Sequence, residues 1–259
     1  MSERNIKIIV AYEGTNYKGW QRQKDAVTVQ GTIEAALADI IGRWVRVHGA
    51  SRTDAGVHAE SQVAHFYVDS PIPDEAIAWL LSGRLPGDIV VRSARTVPRD
   101  FDASTDAACK TYLYRFYTGR VREVQFFRRR WRTGTDLDPA AMHQAAQYIV
   151  GTHDFKGFAS AKDMRETTVR TVMSARAWRV ADDEIDFEIT ADRYLYQMVR
   201  TLAGTLAEIG RGRWQPEKMA QILASRDRTT AGPTAPPNGL CLMHIEYHKN
   251  LAIPLDIGG

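Results

Sequence analysis

The order of strand-like and helix-like segments constrains this chain more than any other feature. Residues 6–12 form an apolar run with β-branched residues and predict a strand. Residues 31–41 place apolar side chains at 33, 36, 37, 40 and 41, the stripe of a helix. Residues 44–48 and 63–68 alternate as strands do. Residues 73–81 open with Pro-Asp-Glu, the chemistry of a helix first turn, and residues 89–97 are again strand-like. The second half repeats the rhythm. It has an aromatic-rich strand at 111–118 and a helix from Asp138-Pro139 to about Val150. A hairpin follows at 171–180 and 184–190, then helices at 194–209 and 216–224 and a closing strand at 240–247. Two β-α-β-β-α-β orders in tandem imply an α+β chain of two ferredoxin-like halves, whose mainly antiparallel sheets can pair edge to edge. Pro98, Asp100 and Ser104-Thr105-Asp106 break both patterns, so the halves are expected at 1–103 and 104–259.

Composition narrows the function classes. The chain has 259 residues, 44% of them hydrophobic, with 34 Lys+Arg against 31 Asp+Glu for a net charge of +3. That is an ordinary globular balance with ample apolar surface for a core, not a disordered or collagenous one. Two cysteines are too few for a disulfide framework or a four-thiolate zinc site, which fits a reducing compartment. Lys7 interrupts the first apolar run and no later run approaches eighteen uncharged residues, so a signal peptide and a membrane span are not expected, and a cytoplasmic location is. The small net charge hides an uneven distribution. Between Asp106 and Arg132 stand eight basic and two acidic residues, +6 in all, which leaves −3 for the rest. Acidic residues gather instead at Asp182, Asp183, Glu184, Asp186 and Glu188. Arg outnumbers Lys by 26 to 8, and guanidinium forks suit phosphates and stack on bases.

Several motif classes are eliminated. There is no phosphate-binding G-x-x-x-x-G-K-[ST] loop, and Gly210-Arg211-Gly212 lacks both the third glycine and the preceding strand of a dinucleotide fingerprint. His58-Ala59-Glu60 matches the H-x-E half of a zinc deaminase signature, but Cys109 and Cys241 each stand alone and the P-C-x-x-C half is missing. His244 and His248 lie four apart on an expected strand, too far apart for an easy shared metal.

Four segments remain. Gly49 to Ala59 is built of small residues around Arg52, Asp54 and His58, and small residues let a backbone turn tightly and a large substrate approach. Asp54 there is either an Asx-turn acceptor or a catalytic carboxylate. Glu13 to Gln23 is a polar, aromatic loop suited to stacking on nucleotides, or else a solvated loop with Trp20 tucked into the core. Tyr112 and Tyr114 share one face of a strand. In the helix expected from residue 194, Arg193, Gln197 and Arg200 fall in one stripe. Arg200 either snorkels outward along apolar neighbours or points inward to an anionic partner such as a loop-tip Asp. The run from Phe126 to Arg132 interleaves rings with cations as single-strand binders do, or is a solvated basic loop.

Taken together, VAYEGTNYKGWQRQ, SRTDAGVHA with the following QVAHF, KTYLYRFY, YLYQMVRTLAGTL and APPNGLCL resemble the tRNA pseudouridine synthase A family over nearly the whole chain. One departure is Ser51, where the family usually has Gly. The resemblance implies the pseudouridine synthase fold, with both halves joined in one sheet and helices on one side. It implies isomerisation of uridine to pseudouridine at tRNA nucleotides 38 to 40, in the anticodon stem–loop, by a homodimer with no metal or organic cofactor. By motif, Asp54 matches the essential aspartate, Tyr112 the active-site tyrosine and Arg200 the basic partner of the aspartate. Arg52 matches an arginine that handles the flipped nucleotide, and Leu240 an apolar residue near the catalytic loop. Basic surface around Arg22 and at Arg128, Arg129 and Arg130 is the expected contact with the tRNA backbone. The alternative is a non-catalytic RNA-binding module of paired RRM-like domains, which has no need of the SRTDAG loop and should carry an aromatic RNP1 octamer that is absent here.

Overall fold

Strand β1 (Arg4–Tyr12) is buried along almost its whole length, as a strand flanked on both edges must be. In the computed structural model of the chain, which describes residues 3–248, β1 organises the first of two compact units. Among the described residues, that unit comprises 3–55, Ala59–Cys109 and 244–248; the second comprises Gly56–His58 and Lys110–Met243.

In the first unit, helix α1 (Val29–Ile41) leads to the short β2 (His48–Gly49), then β3 (His58–Val68), helix α2 (Asp74–Arg84) and β4 (Ile89–Val97). The strand order is β4-β1-β3-β2 and every pairing is antiparallel, the ferredoxin-like arrangement expected from the element order. Thr28 caps α1 by accepting from the Gly31 N–H at 3.3 Å. Asp74 and Glu75 occupy the first turn of α2 and Arg84 the last, each on the side its charge favours.

One expected strand is mostly absent. Val45 and Val47 are buried and Trp44 exposed, so the alternation across 44–48 is real, yet only His48–Gly49 pair as strand. Side chains of α1 have taken the ladder's place. Buried Gln30 donates to the Val47 carbonyl at 2.8 Å, and buried Glu34 accepts the Val47 N–H at 3.1 Å. Once its polar groups are satisfied, the segment needs no neighbouring strand.

In the second unit, β5 (Ala107–Tyr117) carries the short parallel β6 (Trp131–Arg132). Helix α3 (Pro139–Gln147) starts on Asp138, which accepts from the Ala140 and Ala141 N–H groups. Then come β7 (Gly151–Asp154), β8 (Val169–Ala181), β9 (Glu184–Ala191), helices α4 (Met198–Gly210) and α5 (Lys218–Ser225), and β10 (Leu240–Tyr247). The order β10-β5-β9-β8-β7 repeats the ferredoxin-like pattern. Strand β7 and helix α5 are additions to it.

The expected helix start at 194 is corrected to Met198. Residues 194–197 are not helical, and Gln197 adopts a left-handed φ of +61°. Their polar groups bond elsewhere. The Tyr196 N–H donates to the Asp163 carboxylate, the Tyr196 carbonyl accepts from the Ser160 N–H at 2.9 Å, and the Tyr194 hydroxyl donates to the Lys110 and Ile189 carbonyls. Arg193, Gln197 and Arg200 therefore do not form one helical stripe.

Candidate active site

The loop between β2 and β3 is fixed through its backbone before it reaches Asp54. The Ala50 N–H donates to the Val63 carbonyl at 2.8 Å. Fully buried Gln62 clasps Ser51 from both sides, accepting its N–H at 3.1 Å and donating to its carbonyl at 2.7 Å. That clasp uses only the backbone of residue 51, so Ser in place of the family's Gly leaves it intact. The Thr53 hydroxyl meets the Tyr12 hydroxyl at 2.7 Å, and the Thr53 carbonyl accepts the Trp20 N–H at 3.1 Å.

The loop from Glu13 to Gln23 forms the floor beneath this turn. Gly19 has a φ of +90°, and a Cβ there would lie 2.6 Å from the Thr53 carbonyl oxygen and 3.1 Å from the Asp54 carbonyl carbon. Only glycine permits both the conformation and the approach. Trp20 is buried at 1% exposure, so the core reading holds for that ring. Tyr17 is also buried, its hydroxyl donating to Asp88 at 2.6 Å, and burial followed by the Asp88 carboxylate pushes its phenol pKa well up. Asp54 stands half-buried between exposed Arg52 and exposed Ala55, a carboxylate on a turn whose preceding residues are held through their backbone. Arg22, on the same floor, pairs with buried Glu34 at 3.2 Å and lies 5.1 Å over the Trp44 ring.

The second unit gathers Arg200, the two tyrosines and Leu240. A reciprocal pair of hydrogen bonds joins Arg200 to Ala235: its Nε donates to the Ala235 carbonyl at 2.8 Å, and its carbonyl accepts the Ala235 N–H at 3.0 Å. The Nε contact fixes the start of the guanidinium, and Arg200 itself is half-buried. The Tyr114 hydroxyl donates to the Pro236 carbonyl at 2.8 Å, and a Cβ on Gly239 would come within 2.6 Å of the Tyr114 ring. Burial pushes the Tyr114 phenol far up, with the Arg200 charge opposing, so this tyrosine stays protonated and structural. Tyr112, two residues earlier on the same strand face, packs edge-on against Tyr194 with ring centroids 5.0 Å apart. Leu240 is buried at the start of β10.

The basic aromatic loop is hung from two polar side chains. His58 Nε2 lies 2.9 Å from the Arg128 carbonyl and 3.2 Å from the Asn238 carbonyl, which requires a proton on Nε2. Asn238 donates to the Phe127 and Arg130 carbonyls at 3.1 and 2.6 Å. The H-x-E match at His58 thus has a positioning explanation. Phe127 has Arg122 and Arg128 over its ring, at 5.0 and 5.6 Å. Arg128 and Arg129 are exposed, whereas Arg130 is largely covered and pairs with Glu123 at 2.9 Å and Glu184 at 2.7 Å.

Gln62, Gly19, Asn238 and His58 are the positioning residues that residue-type reasoning did not assign. The signal for them lay in their presence inside the quoted motifs. Both cysteines are buried, and the Cys109 thiol is pushed up to about 11 by burial and by Glu246, away from the thiolate form. Among the described residues no three His, Cys, Asp or Glu side chains are grouped to hold a metal, and no helix is long and apolar enough to cross a membrane.

Comparison with known proteins gives the same family from independent directions. A profile described as tRNA pseudouridine synthase matches residues 8–106 and 145–248. The tRNA pseudouridine synthase A of Acetivibrio thermocellus is 43% identical over 244 residues, covering 94% of this chain and all of that protein. Those of a Thermoanaerobacter species and of Brevibacillus brevis are each 42% identical with the same coverage. Among solved structures, a Cbf5-Nop10-Gar1 complex aligns with 91% of this chain and 57% of its own at 10% identity and a TM-score of 0.35, too distant a likeness to bear on the chemistry.

Proposed function

The chain belongs to the tRNA pseudouridine synthase family, and from that premise we propose that it isomerises uridine to pseudouridine at nucleotides 38, 39 and 40 of the tRNA anticodon stem–loop. The observation that carries this reading is the match of whole relatives named tRNA pseudouridine synthase A, at 43% identity, along 94% of the chain. The Asp54 turn, fixed through its backbone, supports it.

The chemistry follows from residue types. The C1′–N1 glycosidic bond must break, the uracil must turn, and a C1′–C5 bond must form with loss of the C5 proton. A carboxylate can attack and later leave, so Asp54 serves as the nucleophile, at C1′ of the ribose or C6 of the ring. Arg200, oriented by Ala235, pairs with Asp54 and keeps it ionised against the cost of partial burial. Tyr112 stacks on the uracil once the base has left its helix, a step costing a few kcal/mol. Arg52 handles the extruded nucleotide and Leu240 packs beside the catalytic turn. The turn comes from the first half (1–103), and Tyr112, Arg200 and Leu240 from the second (104–259). Phosphate contacts from Arg22, Arg128 and Arg129 offset the extrusion, with Arg130 shaping the same loop from within its carboxylate pairs. The enzyme works on tRNA as a homodimer.

The test is to incubate unmodified tRNA transcripts with the purified chain and map pseudouridine by nucleotide. Modification confined to 38, 39 and 40 is the expected result. Pseudouridine at other nucleotides, or none in any transcript with uridine at those positions, overturns the assignment.

A further inference from the structure

A group of cations in the second unit has no part in the bond chemistry above. Arg170, on β8, is buried with 6% of its surface exposed, and its Nε has no hydrogen-bond partner. One of its terminal nitrogens donates to the adjacent Val169 carbonyl. A buried N–H of a charged group without an acceptor is costly, and native structures keep few of them without a reason.

Arg165 and Arg193 bring two more cations near Arg170, and Lys110 pairs in register with Ala191, two residues before Arg193. Exposed Arg165 and Arg193 act on the charge of Arg170, and both also act on Lys110, whose amine is pushed down to about 8, first by burial and then by these two neighbours. Two carboxylates stand among the four cations, and each is engaged in holding the backbone. Asp163 accepts from the Arg165 and Tyr196 N–H groups and pairs with the Arg165 side chain. Asp192 accepts from the Thr171 N–H at 3.0 Å and the Arg193 N–H at 2.7 Å. The positions of Arg165 and Arg193 are thereby fixed while positive charge remains in excess. The Tyr194 hydroxyl, bonded at 2.8 Å to the Lys110 carbonyl, ties the segment after Arg193 to β5, and the same ring packs on Tyr112.

We propose that Arg170, with Lys110, Arg165 and Arg193, forms a phosphate-binding site that takes a backbone phosphodiester of the RNA strand next to the target uridine. An anionic oxygen held by the exposed Arg165 and Arg193 offsets the mutual repulsion of the cations and the cost of the buried Arg170 charge behind them. The proposal rests on the reading of tRNA as substrate.

Direct binding of tRNA across a salt titration tests it. Arg165→Ala/Arg193→Ala alters only exposed side chains. It is expected to weaken binding about three- to tenfold and to lower the slope of log K against log salt by about one. Arg170→Gln, checked for folding by its thermal melt, is expected to weaken binding in the same way. A control pair of exposed arginines in the first unit, Arg43→Ala/Arg84→Ala, is expected to leave the slope as in wild type. Variants at 165, 170 and 193 that keep wild-type affinity and slope overturn the site, as does an equal loss in the control pair. A further arm adds inorganic phosphate at constant ionic strength. If phosphate shifts the melt of wild type but not of the double variant while both bind tRNA alike, the site takes free phosphate and the RNA assignment is overturned. The binding assay reads no chemistry, so failure of this site is distinct from a wild-type protein that binds tRNA but makes no pseudouridine.

Discussion

At the scale of single residues, Asp54 stands on backbone that its neighbours hold in place: Gln62, Tyr12 and the Gly19 floor clasp the turn that carries it. Gly19→Ala tests that statement. The left-handed φ alone costs an L-residue about 1–2 kcal/mol, and the new methyl must displace the Thr53–Asp54 peptide. We expect a lower melting temperature together with a loss of pseudouridine formation of roughly 10- to 100-fold, because ångström-scale misplacement of a reacting group is costly. Activity near wild type in the folded variant contradicts the floor's role. The resemblance singled out Asp54, Tyr112 and Arg200 by motif, but no residue type announced Gly19 or Gln62. A glycine in a loop and a glutamine in a strand are legible only when the atoms they approach are known.

At the scale of elements, periodicity located the longer strands and helices, missed the short β6 and β7, and failed where side chains intercept the backbone. Ile89–Val97 and Leu240–Tyr247 match their expected bounds because their apolar residues fall within the segments that pair as strands. Residues 44–47 alternate equally well, yet Gln30 and Glu34 satisfy Val47. Residues 194–197 have helical periodicity, yet Asp163 and the 160 turn take their polar groups. Strand β9 carries its own electrostatic cost. Asp186 is raised to about 6, chiefly by burial, with Glu184 and Glu188 adding to it on the same strand face and Arg115 opposing. A carboxyl whose folded pKa lies above its ordinary value binds more protons folded than unfolded between the two values, so stability falls as pH rises from about 4 to 6. Asp186→Asn should therefore raise the melting temperature at pH 7. After allowance for solvent screening the gain is about 1 kcal/mol, or roughly 2–4 °C, and it should shrink towards zero at pH 4. A destabilised variant at pH 7 contradicts this assignment and makes Asp186 a net contributor through Arg115.

At the scale of the whole molecule, the uneven charge seen in the sequence is real but partly cancelled. The +6 of residues 106–132 includes Arg130, which pairs with Glu123 and with Glu184 of β9, and Arg115, which faces Asp186. Glu184 and Asp186 of the acidic run therefore serve as counter-charge to two of the basic residues, and a count along the chain overstates the cationic surface open to RNA. Arg165 and Arg193, scattered in sequence and invisible to any window, add positive charge where folding brings them near both Lys110 and Arg170. Element order was enough for the ferredoxin-like pattern in each unit, because that pattern depends on which segments are strands and helices. Charge complementarity was not legible, because it depends on which segments become neighbours. Release of tritium from tRNA labelled at uridine C5 reads out the isomerisation proposed for Asp54. Wild-type protein should release tritium in step with pseudouridine formed, whereas Asp54→Asn, folded and still binding tRNA, should release none above background. Release by that variant at the wild-type rate would contradict the account.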